Sequence, residues 1–248
     1  MRIWLYSLIS VVAVSGISLV GIFVFFLKEE KIKKISLFLV SFAVGGLFGD
    51  AFIHLLPEAF KKPGANFMVS LGVIIGVLAF FVLEKFLRWR HCHVPEGKEH
   101  HHPLVGMNLV GGTAHNFIDG LIIGASYLVA LPIGISTTLA IIFHEIPQEF
   151  SHFGIFIHSG LAKKKALLFN VLSALAAVVG TLLSLFVGNR TGNFASFMLP
   201  VTAGGFLYIA GSDLIPELHH ETRILTSLGQ LISIMLGVGV MMLLLLLG

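Results

Sequence analysis

From Leu131 to His158 the chain runs twenty-eight residues without a lysine or arginine. A run of about 20 residues suffices to cross the hydrocarbon of a bilayer as a helix. The middle of this run nevertheless reads His144-Glu145-Ile146-Pro147-Gln148-Glu149-Phe150-Ser151-His152. A charged side chain at the bilayer centre costs about 2.5–3.5 kcal/mol on insertion scales. Two carboxylates and two imidazoles in one span must therefore face a partner helix or a ligand, not lipid. His115-Asn116-Phe117-Ile118-Asp119-Gly120 poses the same problem one apolar run earlier.

The apolar runs predict eight spans, over residues 3–27, 35–60, 67–87, 104–129, 131–158, 166–187, 194–218 and 224–247. Only 12% of the residues are charged, against about 25% in soluble domains. The expected fold class is an all-α integral membrane protein of eight transmembrane helices, forming a single transmembrane domain over residues 1–248. The first run exceeds the roughly 7–15 apolar residues of a signal-peptide core, and no small-residue cleavage site follows it cleanly, so it reads as a span. Cys92 is the sole cysteine, which excludes an internal disulfide.

Basic residues set the expected orientation. Twelve of the sixteen lysines and arginines fall in the loops after spans 1, 3, 5 and 7. By the positive-inside rule those loops face the cytoplasm and both termini face outward. The net charge of +3 is spread over loops, so it speaks for topology in a lipid bilayer and against a nucleic-acid partner. The loop between spans 3 and 4, about residues 90–103, also holds His91, His93, His100, His101 and His102. A short His-rich tract of this kind fits loose metal capture.

Two spans share a pattern. Gly45-Gly46, ten residues, then Pro57-Glu58 in span 2 is matched by Gly204-Gly205, ten residues, then Pro216-Glu217 in span 7. Leu55 then aligns with Leu214 and His54 with Asp213. Spans five apart cross in opposite senses, so the match predicts an inverted repeat of spans 1–3 and 6–8 around two central spans. Those central spans carry the two polar stretches.

On a helix, His115 and Asp119 lie about 40° apart and Asn116 about 60° to the other side of Asp119. In span 5, Gln148 sits in the same way between His144 and Glu145. Facing each other, these residues would make two adjacent pockets: His115, Asp119, His144 and Gln148, then Asn116, Asp119, Glu145 and Gln148. Imidazole with carboxylate suits zinc and neighbouring first-row metals. The absence of a thiolate set argues against a closed structural zinc site. Asp50, His54 and Glu58 could receive a cation from one side. Asp213, Glu217, His152, His158, His219 and His220 lie toward the other. Asn170 and Ser173, one turn apart in span 6, fit interhelical hydrogen bonding as well as metal contact.

His-Asn-x-x-Asp-Gly followed by His-Glu-x-Pro-x-Glu, in neighbouring spans of an eight-span chain, resembles the ZIP family of zinc and iron transporters. The resemblance covers all eight spans, the His-rich loop and the Asp50, His54, Pro57-Glu58 pattern of span 2. It implies import of zinc or related divalent metals (iron, manganese, cadmium) into the cytoplasm, with Zn2+ as bound substrate, no prosthetic group and no enzymatic reaction. It places metal ligands at His115, Asn116, Asp119, His144, Glu145 and Gln148, with Glu149 beside them, and an entrance role at Asp50 and His54. It further implies a homodimer, an elevator-like movement and a location in the plasma membrane. This chain departs from many relatives at Gln148, where they have His, and at Ser151-His152, where they have Gly-Asp. Two other functions compete with this one. An intramembrane metalloprotease needs His-Glu-x-x-His, which Gln148 breaks; a passive metal channel would share every feature above.

Overall fold

The computed structural model describes residues 2–19, 29–61, 66–89, 101–158, 161–188, 190–191 and 193–246, and of these the side chains of 29–34, 86–89, 101–104, 107–108, 150–151, 154–155 and 157–158 are left aside. The described residues form helices and no strand: α1 (Arg2–Gly16), α2 (Glu29–Gly49), α3 (Leu56–Phe60), α4 (Asn66–Trp89), α5 (His101–Val129), α6 (Leu131–His158), α7 (Lys163–Gly188), α8 (Phe194–Tyr208), α9 (Ile215–Leu218) and α10 (Ile224–Leu245). A π-helical turn, Asp50–Leu55, joins α2 to α3, and another, Ile209–Leu214, joins α8 to α9. Span 4 thus starts a turn earlier than its hydropathy indicated, taking in His101 and His102. His91, His93 and His100 lie outside the described residues.

Among the described residues, six stretches are long and apolar enough to cross a membrane: Arg2–Leu19, Ile35–Phe60, Asn66–Lys85, Lys163–Gly188, Phe194–Leu218 and Ile224–Leu245. The molecule is a multi-pass, all-helical membrane protein. Its outward faces are large and apolar, as at Phe67, Met68 and Val82 on α4 and Leu225, Leu231 and Leu236 on α10. Its interior collects polar groups, among them Asp50, Asn116, Asp119, His144, Glu145, Glu149 and Asn170.

Lipid tails are as apolar as leucine, so helices in a bilayer associate through close packing and hydrogen bonds rather than hydrophobic burial. The helices sort accordingly into one group, α1 with α5, α6 and α7, and a second made of the pairs α2 with α10 and α4 with α8, with α6 also packed on α2. In the first group a Cβ on Gly120 would strike the backbone of Ala177, and one on Gly180 the carbonyl of Phe117. Thr181 Oγ1 donates to the Gly120 carbonyl at 2.9 Å.

The second group is packed in duplicate. A Cβ on Gly45 would strike the carbonyl of Ile234 in α10, and one on Gly204 the carbonyl of Val73 in α4. Reciprocally, Gly237 of α10 lies against Phe42 O and Gly46 N, and Gly76 of α4 against Val201 O and Gly205 N. With Gly45 aligned on Gly204, Phe42 aligns with Val201 and Gly46 with Gly205, so both helix pairs use one register.

The π-turns obey the same alignment. Leu56 N–H bonds the carbonyl of Ala51, and Ile215 N–H that of Ala210, each five residues back rather than four. Pro57 and Pro216 follow directly. In a regular helix their rings would press on the carbonyls of Ile53 and Ser212, and a wider turn relieves that contact. Proline is not a sufficient cause, because Pro147 and Pro200 lie inside α6 and α8 without a π-turn.

Candidate metal centre

α5 and α6 bring four ligating side chains together. One atom from each of His115, Asp119, His144 and Glu145 lies within 4.8 Å of the corresponding atom of every other. His115 Nε2 is 3.6 Å from Asp119 Oδ2 and 3.6 Å from Glu145 Oε1. His144 Nε2 is 3.4 Å from Asp119 Oδ2 and 3.9 Å from Glu145 Oε1. The two imidazole Nε2 atoms are 3.4 Å apart. Zinc ligands stand about 2.0–2.2 Å from the ion, hence roughly 3.3–3.5 Å from one another in a tetrahedron. The cluster is within a small contraction of that arrangement.

Second contacts aim these atoms. His144 Nδ1 lies 3.1 Å from the carbonyl of Ala140, one turn back. Donation from Nδ1 fixes the tautomer and leaves the Nε2 lone pair directed into the cluster. Asp119 Oδ1 and Oδ2 and Glu145 Oε1 are buried without a hydrogen-bond partner. Buried carboxylate oxygens of that kind are costly, and a dication between them would neutralise the two carboxylates. Phe80 stands edge-on to His115 at a 6.0 Å centroid distance, and Phe206 edge-on to His144 at 6.1 Å. The second glycine of each Gly-Gly pair leaves room for an aromatic: Gly205 for Phe80, which stands beside the cluster, and Gly46 for Phe143, which packs on Phe42.

The two expected pockets are thus redistributed. Glu145, expected with Asn116, stands with both histidines. Asn116 is buried and turns its amide to the Gly112 carbonyl at 2.9 Å, with Ser173 Oγ at 3.5 Å. Gln148 is half-buried. Glu149 faces α7, where the amide of Asn170 donates to its carboxylate. His152 is half-buried against Gly112. Asp50 and His54 are buried together in the first π-turn, Nδ1 to Oδ1 3.3 Å. Asp213 and Glu217 are exposed on the second π-turn and α9, apart from the cluster.

Thr137 escaped the sequence reading. Its hydroxyl donates to Asp50 Oδ2 at 3.0 Å and so ties α6 to the first π-turn. The available signal was its place two turns before His144, on the same helical face.

A bundle of long apolar helices enclosing two imidazoles and two carboxylates has the build of a membrane protein whose buried side chains can hold a metal ion. The chain matches the family described as ZIP Zinc transporter over residues 1–106 and 100–245. It is 37% identical to the zinc transporter ZIP13 of Pongo abelii, over 83% of this chain and 65% of that protein. It is 29% identical to the zinc transporter SLC39A7 of Rattus norvegicus, over 97% of this chain and 72% of that one. The zinc transporter YKE4 of Saccharomyces cerevisiae is 30% identical, over 79% and 64%. The chain spans between 64% and 72% of the lengths of these three relatives. It belongs to the ZIP family of zinc transporters.

Proposed function

We propose that this protein carries divalent metal ions, zinc foremost, into the cytoplasm through the cluster of His115, Asp119, His144 and Glu145. The observation that supports the reading most is the set of buried, partnerless carboxylate oxygens facing two imidazole Nε2 atoms. Asn116 and Gln148 border this site and would complete a second, adjoining pocket. Asp50 and His54 would receive the ion from outside, and His152, Asp213 and Glu217 would pass it inward. In this reading all eight long helical runs cross the membrane, arranged as three spans, two central spans and three inverted spans. The matched glycine registers and matched π-turns support that arrangement. The whole of residues 1–248 acts as one transporter domain, paired as a homodimer in the plasma membrane. The deciding experiment is metal uptake into proteoliposomes, with iron, manganese and cadmium competing against zinc. Zinc-dependent uptake that saturates is expected; no metal flux above that of empty vesicles would refute the reading.

Orientation is tested separately. Cysteines placed in the 91–102 loop, in a Cys92→Ser background, should react only with reagents on the cytoplasmic side, as the distribution of basic residues requires. Labelling of intact cells by an impermeant reagent would invert the topology.

Gln148 offers a test of metal choice. A neutral amide oxygen is a weaker zinc ligand than an imidazole. Gln148→His should lower the half-saturating zinc concentration and favour zinc over manganese, with an equal or smaller maximal rate, because tighter binding slows release. Unchanged affinity and selectivity would mean that position 148 does not touch the metal.

A further inference from the structure

Glu149 is a buried carboxylate of α6 that the four-residue cluster leaves unused, only 1% exposed. Asn170, which donates to it, is a neutral amide and does not offset a buried negative charge. The same amide nitrogen also donates to the carbonyl of Ser18 at 3.0 Å, so Asn170 is held in place from two sides. His152 follows three residues after Glu149, on the same side of the helix. Its ring lies where a Cβ on Gly112 would come within 3.1 Å of Nδ1, and that same point is 3.2 Å from Ser173 Oγ. Ser173 stands one turn from Asn170 on α7. A carboxylate of α6 therefore meets Asn170 on α7, while an imidazole of α6 and Ser173 of α7 both crowd Gly112. From there α7 reaches the metal cluster through Asn116, the neighbour of His115, whose amide nitrogen is 3.5 Å from Ser173 Oγ.

We propose that Glu149 and His152 form a second dication site, an inner station that receives the ion after it leaves His115, Asp119, His144 and Glu145. The proposal rests on the transport reading above. Ser173 Oγ and, after its amide turns over, Asn170 Oδ1 supply neutral oxygens. One carboxylate and one imidazole hold a dication less firmly than two of each, and a chain of binding steps must weaken toward the exit for the ion to leave. The seam lined by Asn116, Ser173 and His152 gives the route between the two sites.

The test counts zinc bound to the purified full-length protein by equilibrium dialysis and mass spectrometry, with His91, His93, His100, His101 and His102 changed to Ser to silence the loop. In that background Asp119→Ala removes the cluster site, and one zinc ion per chain should remain. Adding Glu149→Gln and His152→Ala should weaken this remaining ion at least about 10-fold, since the loss of even an outer-shell partner costs about 10–100-fold in metal affinity. Glu149→Gln keeps the size of the side chain and its acceptor for Asn170. His152→Asp in place of His152→Ala, with Glu149 intact, should preserve binding, which separates a lost ligand from a lost fold. No zinc on the Asp119→Ala protein, undiminished zinc on the triple variant, or loss of binding in the His152→Asp protein would each overturn the inner station. Failure of the cluster reading looks different: Asp119→Ala would then bind as many ions as its parent.

Discussion

Asp119→Ala should abolish metal uptake while the protein still inserts and folds. Asp119 is fully buried, both of its oxygens lack a hydrogen-bond partner, and it lies within 3.6 Å of one histidine and 3.4 Å of the other. Because the native carboxylate makes no packing hydrogen bond, its removal leaves no orphaned donor in the protein. The ion, by contrast, loses one of the two negative charges that replace its hydration. Removing one partner of a buried charge pair costs about 3–5 kcal/mol, which corresponds to roughly 10²–10³-fold or more in affinity. The measurement is the initial rate of zinc uptake into proteoliposomes at matched protein, with helicity checked by circular dichroism. Asp119→Glu keeps the charge and should retain part of the rate. Uptake by Asp119→Ala at the wild-type rate would end the assignment of this cluster as the transport site.

The second large effect concerns the fold. Gly45→Ala and Gly204→Ala should each destabilise the protein by about 2 kcal/mol, the scale of overpacking a filled interior. Each added methyl meets a backbone carbonyl of the neighbouring helix, Ile234 O or Val73 O. A backbone atom cannot rotate aside, so the two helices must separate along the contact. Helix propensity alone predicts the opposite sign, since alanine is favoured over glycine by about 1 kcal/mol in a helix. Gly239→Ala supplies the control: nothing lies within 4 Å of its added methyl, so it should be neutral or stabilising. Melting in detergent distinguishes the cases, with a fall of roughly 4–8 °C expected for the first two variants. A Gly45→Ala protein that melts at or above the parent temperature would show that these backbones are not in close contact.

Much of this architecture was legible in the sequence because hydrophobic runs and glycine spacing report directly on membrane helices. The fifth run, 131–158, matches α6 to the residue, and the seventh, 194–218, matches α8 through α9. His115, Asp119, His144 and Glu145 were all singled out as ligands, yet their distribution between two pockets was not legible. A helical wheel fixes angles about one axis; it does not fix the crossing of two helices or the rotamers that let Glu145 reach both histidines. The turning of Glu149 toward Asn170 was hidden for the same reason, as its partner lies on a helix twenty-one residues away. The π-turns leave no hydrophobic signature at all. One extra residue per turn changes neither composition nor period enough to register, and prolines occur elsewhere in these helices without them.

The two π-turns carry a historical implication. A π-turn amounts to a one-residue insertion into an α-helix. Under the proposed inverted repeat, the turn at Asp50–Leu55 and the aligned turn at Ile209–Leu214 would descend from a single insertion in an ancestral three-span unit, copied when that unit was duplicated. The side chains then diverged around an inherited backbone. Asp50 is answered by Ile209 and His54 by Asp213, so a matched backbone presents a different set of side chains in each half.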